Sequence, residues 1–159
     1  LAFAQAFAPD LEWLQGDVAD AGFLPETFDV LTCIDVLEHV PPEALPGFVQ
    51  GLAWHLAETG TLLLTVPTAA TRTCDKHYQQ FTLEVLRQAL APQFEIAEHR
   101  YLNRQSIWHK WFRTMLANHL FILNHAGLCR WLYRQYEKRM LVASASDARR
   151  IFVACRKKA

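Results

Sequence analysis

Hydrophobic positions along the chain fall into blocks of two kinds, some at helical spacing and some continuous. Leu1–Phe7 reads as a helix that ends at Pro9 and Asp10. Leu11–Gln15 (LEWLQ) reads as a short strand, with a turn at Gly16 and Asp17. Phe28–Ile34 (FDVLTCI) is nearly all apolar or β-branched, which predicts a strand buried on both faces. Pro41 and Pro42 open a helix over about Glu43–Glu58, whose apolar residues Leu45, Phe48, Val49, Leu52 and Leu56 share one face. Thr59 and Gly60 are expected to close it. Thr61–Val66 (TLLLTV) predicts a second buried strand, stopped by Pro67.

Thr68–Lys76 reads as a loop. Thr82 then caps a helix running to about Ala91, with Glu84 in its first turn, and Pro92 follows its end. Phe94–Leu102 predicts a strand. Ser106–Leu123 and Leu128–Leu141 predict two helices around Asn124–Gly127. Ser144–Asp147 is a turn, Arg150–Cys155 (RIFVAC) a last strand, and the tail is basic. The order α-β-β-α-β-α-β-αα-β predicts an α/β domain over residues 1–159, built on a mostly parallel sheet with helices on both faces. The helices at about 104–142 form an insertion before the last strand. No internal repeat interrupts this order.

Composition narrows the class. The 159 residues are 52% hydrophobic and 20% charged, ordinary for a globular domain. No apolar run reaches the roughly 18–20 residues of a membrane-spanning helix, and Leu1–Asp10 lacks the basic start of a signal peptide. Cys33, Cys74, Cys129 and Cys155 are too scattered for a zinc site or a disulfide framework, so reduced thiols and a cytoplasmic setting are expected. The net charge of zero hides an asymmetry. Residues 1–60 carry ten acids and no Lys or Arg, whereas residues from 100 onward carry 13 bases against Glu137 and Asp147. Two surfaces with different partners are implied, an acidic one suited to a cation and a basic one suited to anionic groups.

Candidate chemistry gathers where strands are expected to end. Asp17 and Asp35 each follow a predicted strand, and Glu38 and His39 come one step later. In open α/β sheets ligands bind at the carboxyl ends of the strands, so both acids are expected on one rim. Gly16 and Asp17, then FDVLTCIDVLEHV over Phe28–Val40, then Gly60–Pro67 make a specific combination in which each piece alone is weak. With this spacing the chain resembles the class I S-adenosylmethionine-dependent methyltransferases, clearly over Leu1 to about Ala91 and more loosely to the last strand. Lys76–Thr82, with its HYxxFT pattern, looks like the approach to the next helix in many small-molecule members.

The resemblance implies a Rossmann-like sheet with an antiparallel last strand, and S-adenosylmethionine as cofactor. It implies that Asp17 accepts from the adenine amino group and that the Val18 N–H meets the ring. It implies that Asp35 and Val36 line the methionine and sulfonium side, that Glu38 and His39 face the acceptor as catalytic residues, and that His77 and Tyr78 close the acceptor pocket. A hydroxyl acceptor needs a base, and His39 is the candidate near neutral pH. Asp35, Glu38 and His39 also resemble the cluster that can hold a divalent metal in ubiquinone-biosynthesis O-methyltransferases. No metal is assigned, because such clusters are common without one. Structural readings stand beside these roles. Asp17 suits a turn, Asp35 and Glu38 suit the approach to a helix, His39 a hydrogen-bonded structural site, and His77 and Tyr78 packing.

The glycine turn that wraps methionine in this family has no counterpart here, since the six glycines never occur as G-x-G. Leu1–Ala8 resembles the helix after the family's second strand. The expectation is therefore that the first two strands, roughly 60–80 residues, lie upstream, and that these 159 residues alone bind cofactor weakly. A non-catalytic remnant or interaction module of the same fold is the alternative. A Rossmann-like dehydrogenase fits less well, because the DVLEHV run is not a nicotinamide signature.

The helices after residue 104 combine Ile107, Trp108, Trp111, Phe112, Met115, Leu116 and Leu120 on one stripe with His109, Lys110, Arg113 and Asn118 opposite. The second carries Arg130, Arg134, Lys138 and Arg139 beside Leu128, Trp131, Leu132 and Tyr136. This pair reads as a lid over the acceptor pocket or as a contact with an anionic membrane surface. Nucleic acid is not expected, because no recognised module accompanies the charge.

Overall fold

A computed structural model describes residues 1–69, 77–108, 111, 114 and 125–158. Its elements in chain order are α1 (Ala2–Phe7), β1 (Phe28–Ile34), a 3-10 turn (Leu37–His39), α2 (Leu45–His55), β2 (Leu56–Pro67), α3 (Leu83–Leu90), β3 (Phe94–Arg104), α4 (Ala126–Tyr136) continued by a π-helical turn (Glu137–Leu141), and β4 (Ala148–Lys157). The sheet order is β1-β2-β4-β3. β1 and β2 are parallel, and β4 runs antiparallel to both β2 and β3. β1, β2 and β3 therefore share one direction and the last strand opposes them, as the α/β reading expects.

The core lies between the sheet and α2 and α3. Leu62, Leu64 and Val66 of β2 and Ile151, Val153 and Cys155 of β4 meet Val49, Leu52 and Ala53 of α2 and Leu86 and Leu90 of α3. Burial alternates along β2 and β4, with the opposite face half-buried. The apolar runs of β2 and β4 thus pack fully on one face rather than on two, and β1, expected to be buried on both faces, buries only Cys33 and leaves Val30 and Ile34 exposed among the described residues. Local signals hold in α3, where the Thr82 side chain accepts from the Val85 N–H at 3.2 Å and satisfies a donor of the first turn. His125 does the same for α4, its Nδ1 accepting from the Leu128 N–H at 3.1 Å.

Two expectations change. Leu11–Gln15 is not a strand, and Leu11 and Leu14 are exposed. A strand needs a neighbour to take its N–H and C=O groups, and no described strand pairs with this stretch. The helix over Glu43–Glu58 is shorter at both ends, and Thr59 and Gly60 do not cap it. Leu56 is fully buried and pairs with Phe28, so the chain turns extended there, and the register slips between Phe28 and Val30. Long-range pairing at Leu56 overrides a helical period that would have carried it one turn further.

Ile107, Trp108, Trp111 and Thr114 are helical. Phe112, Met115, Leu116 and Leu120 of the expected stripe, and His109, Lys110, Arg113 and Asn118 opposite, lie outside the described residues, as does the part of the expected loop over 70–76 that holds Cys74.

Candidate functional site

The site forms where β1, β2 and β4 reach one rim. Asp35, the residue after β1, has φ 52. Aspartate tolerates this left-handed region better than most non-glycine residues, and contacts from two other strands hold it there. β2 supplies two contacts: the Asp35 N–H donates to the Thr65 carbonyl at 3.0 Å, and the Thr65 hydroxyl donates to Oδ1 at 3.0 Å. β4 supplies the third. Arg150 Nε donates to Oδ2 at 2.8 Å, and Nη2 donates to the same oxygen. Hydrogen bonding to Asp35 raises the Arg150 pKa above its ordinary value, against the opposing effect of burial.

The chain then makes its 3-10 turn, with the His39 N–H donating to the Val36 carbonyl at 2.9 Å. Leu37 is fully buried and anchors the turn. Glu38 is only 2% exposed, and its Oε2 has no hydrogen-bond partner among the described residues. A buried carboxylate oxygen in that state is costly and calls for a partner such as a water, an ion or a ligand. Its Oε1 lies 4.0 Å from His39 Nε2.

The segment 77–79 is zipped onto this turn. The Tyr78 N–H donates to the Glu38 carbonyl at 2.8 Å, and Gln79 Nε2 donates to the Val40 carbonyl at 2.9 Å. The His77 ring thereby meets His39 edge-on, with centroids 4.9 Å apart. Ligand atoms of Glu38, His39 and His77 lie within 4.8 Å of one another. This grouping differs from the one the resemblance implied, because Asp35 is occupied by Arg150.

Two cavities flank residues 35 and 36. The first, about 540 Å³, is lined by Asp35, Glu38, His39 and His77, with Arg149 and Arg150 on one wall. Asn103 and Tyr136 complete it, and the Tyr136 hydroxyl donates to Asn103 Oδ1, tying α4 to β3. The second, about 510 Å³, is lined by Asp17, Val18, Val36, Phe48 and Leu52, with Thr32 and Cys33 of β1. Burial, then the charge of Glu38, pushes the Cys33 thiol up to about 12. It therefore stays a neutral wall residue at ordinary pH.

Asp17 Oδ1 accepts from the Ala19 N–H at 2.9 Å, a local turn that fixes the loop. Gly51 of α2 lets that loop approach, since a Cβ there would lie 2.0 Å from the Val18 carbonyl oxygen. One carboxylate amid apolar walls suits a flat heteroaromatic ring with an amino group.

The expected site residues are thus divided. Asp17, Val18 and Val36 share one cavity, while Asp35, Glu38, His39 and His77 share the other. Asp35 and Val36, expected together on the methionine side, face different cavities. Tyr78 stands apart, 65% exposed and outside both walls. Sequence reasoning missed Arg149, Arg150, Asn103 and Tyr136. The consecutive arginines opening the apolar run RRIFVAC were the available signal for the first two.

A family described as "Methyltransferase domain" matches residues 4–143. Among solved structures, a SAM-dependent methyltransferase from Archaeoglobus fulgidus is 16% identical with TM-score 0.58, over 91% of this chain and 66% of that one. A methyltransferase described as putative, from Bacillus halodurans C-125, is 19% identical with TM-score 0.62, over 99% and 78%. The cyclase SpnF is 18% identical with TM-score 0.59, over 98% and 60%. At these identities the likeness is one of fold. The chain spans less than two thirds of the length of the Archaeoglobus protein and of SpnF. A search of the curated proteins found no match.

Proposed function

Because this chain belongs to the methyltransferase-domain family, we propose that it serves S-adenosylmethionine-dependent transfer of a methyl group to the hydroxyl of a small molecule. One observation carries the reading. Two cavities of similar size meet at adjacent residues, with Val36 facing one and Asp35 the other. In-line displacement needs two ligands held on either side of one point, and positioning supplies most of the rate.

S-adenosylmethionine supplies a methyl group made electrophilic by its sulfonium, which leaves as a neutral thioether. The residues of the second cavity fit its adenosyl part. Asp17 Oδ2 is the acceptor for the adenine amino group, since Oδ1 serves the turn. Val18, Val36, Phe48 and Leu52 offer the ring apolar contacts. On the other side, His39 accepts the acceptor's hydroxyl proton as the oxygen attacks the methyl carbon. The buried Glu38 carboxylate, 4.0 Å away, favours the imidazolium that forms. His77 fixes the His39 ring edge-on.

The test is a methyl-transfer assay on phenols, catechols and amines of matched shape, with radiolabelled S-adenosylmethionine. Labelled methyl on oxygen supports the reading. Transfer to nitrogen alone, or cofactor binding with no transfer, removes it.

A second reading concerns where the reaction occurs. Trp108, Trp111 and Trp131 are 46%, 50% and 53% exposed. They line an apolar pocket of about 210 Å³, with Arg139 stacked on Trp108 at 5.0 Å. α4 buries Leu132 alone and exposes Arg130 and Arg134. No helix among the described residues is long and apolar enough to cross a membrane. Half-exposed tryptophans beside cations suit the interface of an anionic bilayer instead. Sedimentation with phosphatidylserine vesicles but not with phosphatidylcholine vesicles supports this, and equal sedimentation with neither removes it.

A further inference from the structure

The neighbours Asp35 and Val36 line different cavities, and the conformation of Asp35 is held from outside its own strand. Asp35 carries a backbone at φ 52, in the left-handed region that aspartate tolerates better than most side chains, and its neighbours fix it there. β2 grips it through Thr65, by backbone and by hydroxyl. The guanidinium of Arg150 closes on its carboxylate from β4, Nε reaching both oxygens at 3.1 and 2.8 Å. A planar fork of this kind fixes direction as well as charge. The 3-10 turn carrying Glu38 and His39 starts immediately afterwards, and the Glu38 carbonyl in turn receives the Tyr78 N–H. A rotation at residue 35 therefore moves the base, the buried carboxylate and the His77 segment together.

We propose that Arg150 is a positioning residue for methyl transfer: through its grip on Asp35 it sets the wall between the cofactor and acceptor cavities and orients the Glu38–His39 turn. The proposal rests on the reading of the site as a methyl-transfer centre. Arg150 touches neither reacting atom and acts through Asp35. A residue that served overall stability alone would lower the melting temperature of the protein without altering the geometry around His39.

The experiment compares wild type, R150M, R150K and, as a control, R100M, whose exposed partner on β3 is Glu98 and which lines neither cavity. Three readouts are taken on the whole protein. They are the NMR cross-peak between the His39 and His77 rings, the calorimetric affinity for S-adenosylhomocysteine, and the kcat and KM of methyl transfer. R150M is expected to lose the cross-peak and about a hundredfold in kcat, with KM and S-adenosylhomocysteine affinity changed about threefold or less. R150K, which keeps the charge but not the fork, is expected to recover part of both, and R100M to match wild type. If R150M does not fold, R150Q carries the same readouts. A cross-peak retained in R150M or R150Q overturns the proposal at its geometric step. A lost cross-peak in a protein whose wild type methylates none of the acceptors overturns it at the chemical step instead.

Discussion

Asp35 and Arg150 stand 115 residues apart in sequence and share a forked ion pair at the rim of the sheet. The pair joins the end of β1 to the start of β4 and passes over β2, where Thr65 takes part. It gives Asp35 a structural partner where a ligand contact was the simpler expectation. Both side chains are partly exposed, at 26% and 44%, so its effect is on geometry more than on stability. Asp35→Asn is expected to cost about 1 kcal/mol or less in chemical denaturation, while turnover falls by a larger factor.

Glycine substitutions on α2 separate close approach from open space. Gly51→Ala places a Cβ 2.0 Å from the Val18 carbonyl oxygen, whereas Gly47→Ala meets nothing within 4 Å. G51A is expected to destabilise by about 1–3 kcal/mol through overpacking. G47A is expected to stabilise by about 0.5–1 kcal/mol through helix propensity. Urea denaturation reads both. S-adenosylhomocysteine affinity is expected to fall in G51A alone, because the displaced loop carries Asp17.

His39→Ala is expected to lower kcat by about 10²–10⁴-fold, the range for a lost general base. Cofactor affinity should stay near wild type, because His39 and Asp17 line different cavities. Equal losses in kcat and in cofactor affinity would place His39 in the structure rather than in the chemistry.

One buried oxygen of Glu38 has no hydrogen-bond partner among the described residues. Burying a carboxylate with an unsatisfied oxygen is costly, so Glu38→Gln is expected to melt at or above the wild-type temperature while losing activity. A large drop in melting temperature would show that the carboxylate serves folding.

Alkaline pH tests the buried thiols. Burial, with the Glu38 charge as a second cause at Cys33, raises Cys33 and Cys155 from 9.0 to about 12. The unfolded thiols ionise near pH 9 while the folded ones remain protonated. Their contribution to stability is therefore fully present below pH 9 and is lost as pH rises toward 12. Denaturation midpoints should fall across that window. Below it, iodoacetamide should label exposed Cys129 and spare Cys33 and Cys155 in the folded protein.

Much of this architecture can be read from local pattern. The apolar run Phe28–Ile34, the Thr82 cap of α3 and the RIFVAC strand announce themselves, because side-chain sterics, burial and end-group hydrogen bonds act over a few residues. The spacing of Asp35, Glu38 and His39 likewise places them just past the end of β1, since strand direction and length set where such residues emerge, whereas Asp17 follows an irregular stretch and not a strand.

Folding at long range supplied the remainder. Leu11–Gln15 has strand-like composition but no described neighbour to pair with, so it stays irregular. Leu56 leaves the helical period of α2 because Phe28 awaits it across the sheet. The division of Asp35 and Val36 between two cavities, the meeting of His39 with His77, and the closure of Arg150 on Asp35 all depend on contacts between distant segments. Such contacts carry no periodicity along the chain, because which side chains meet across strands is settled by register and packing.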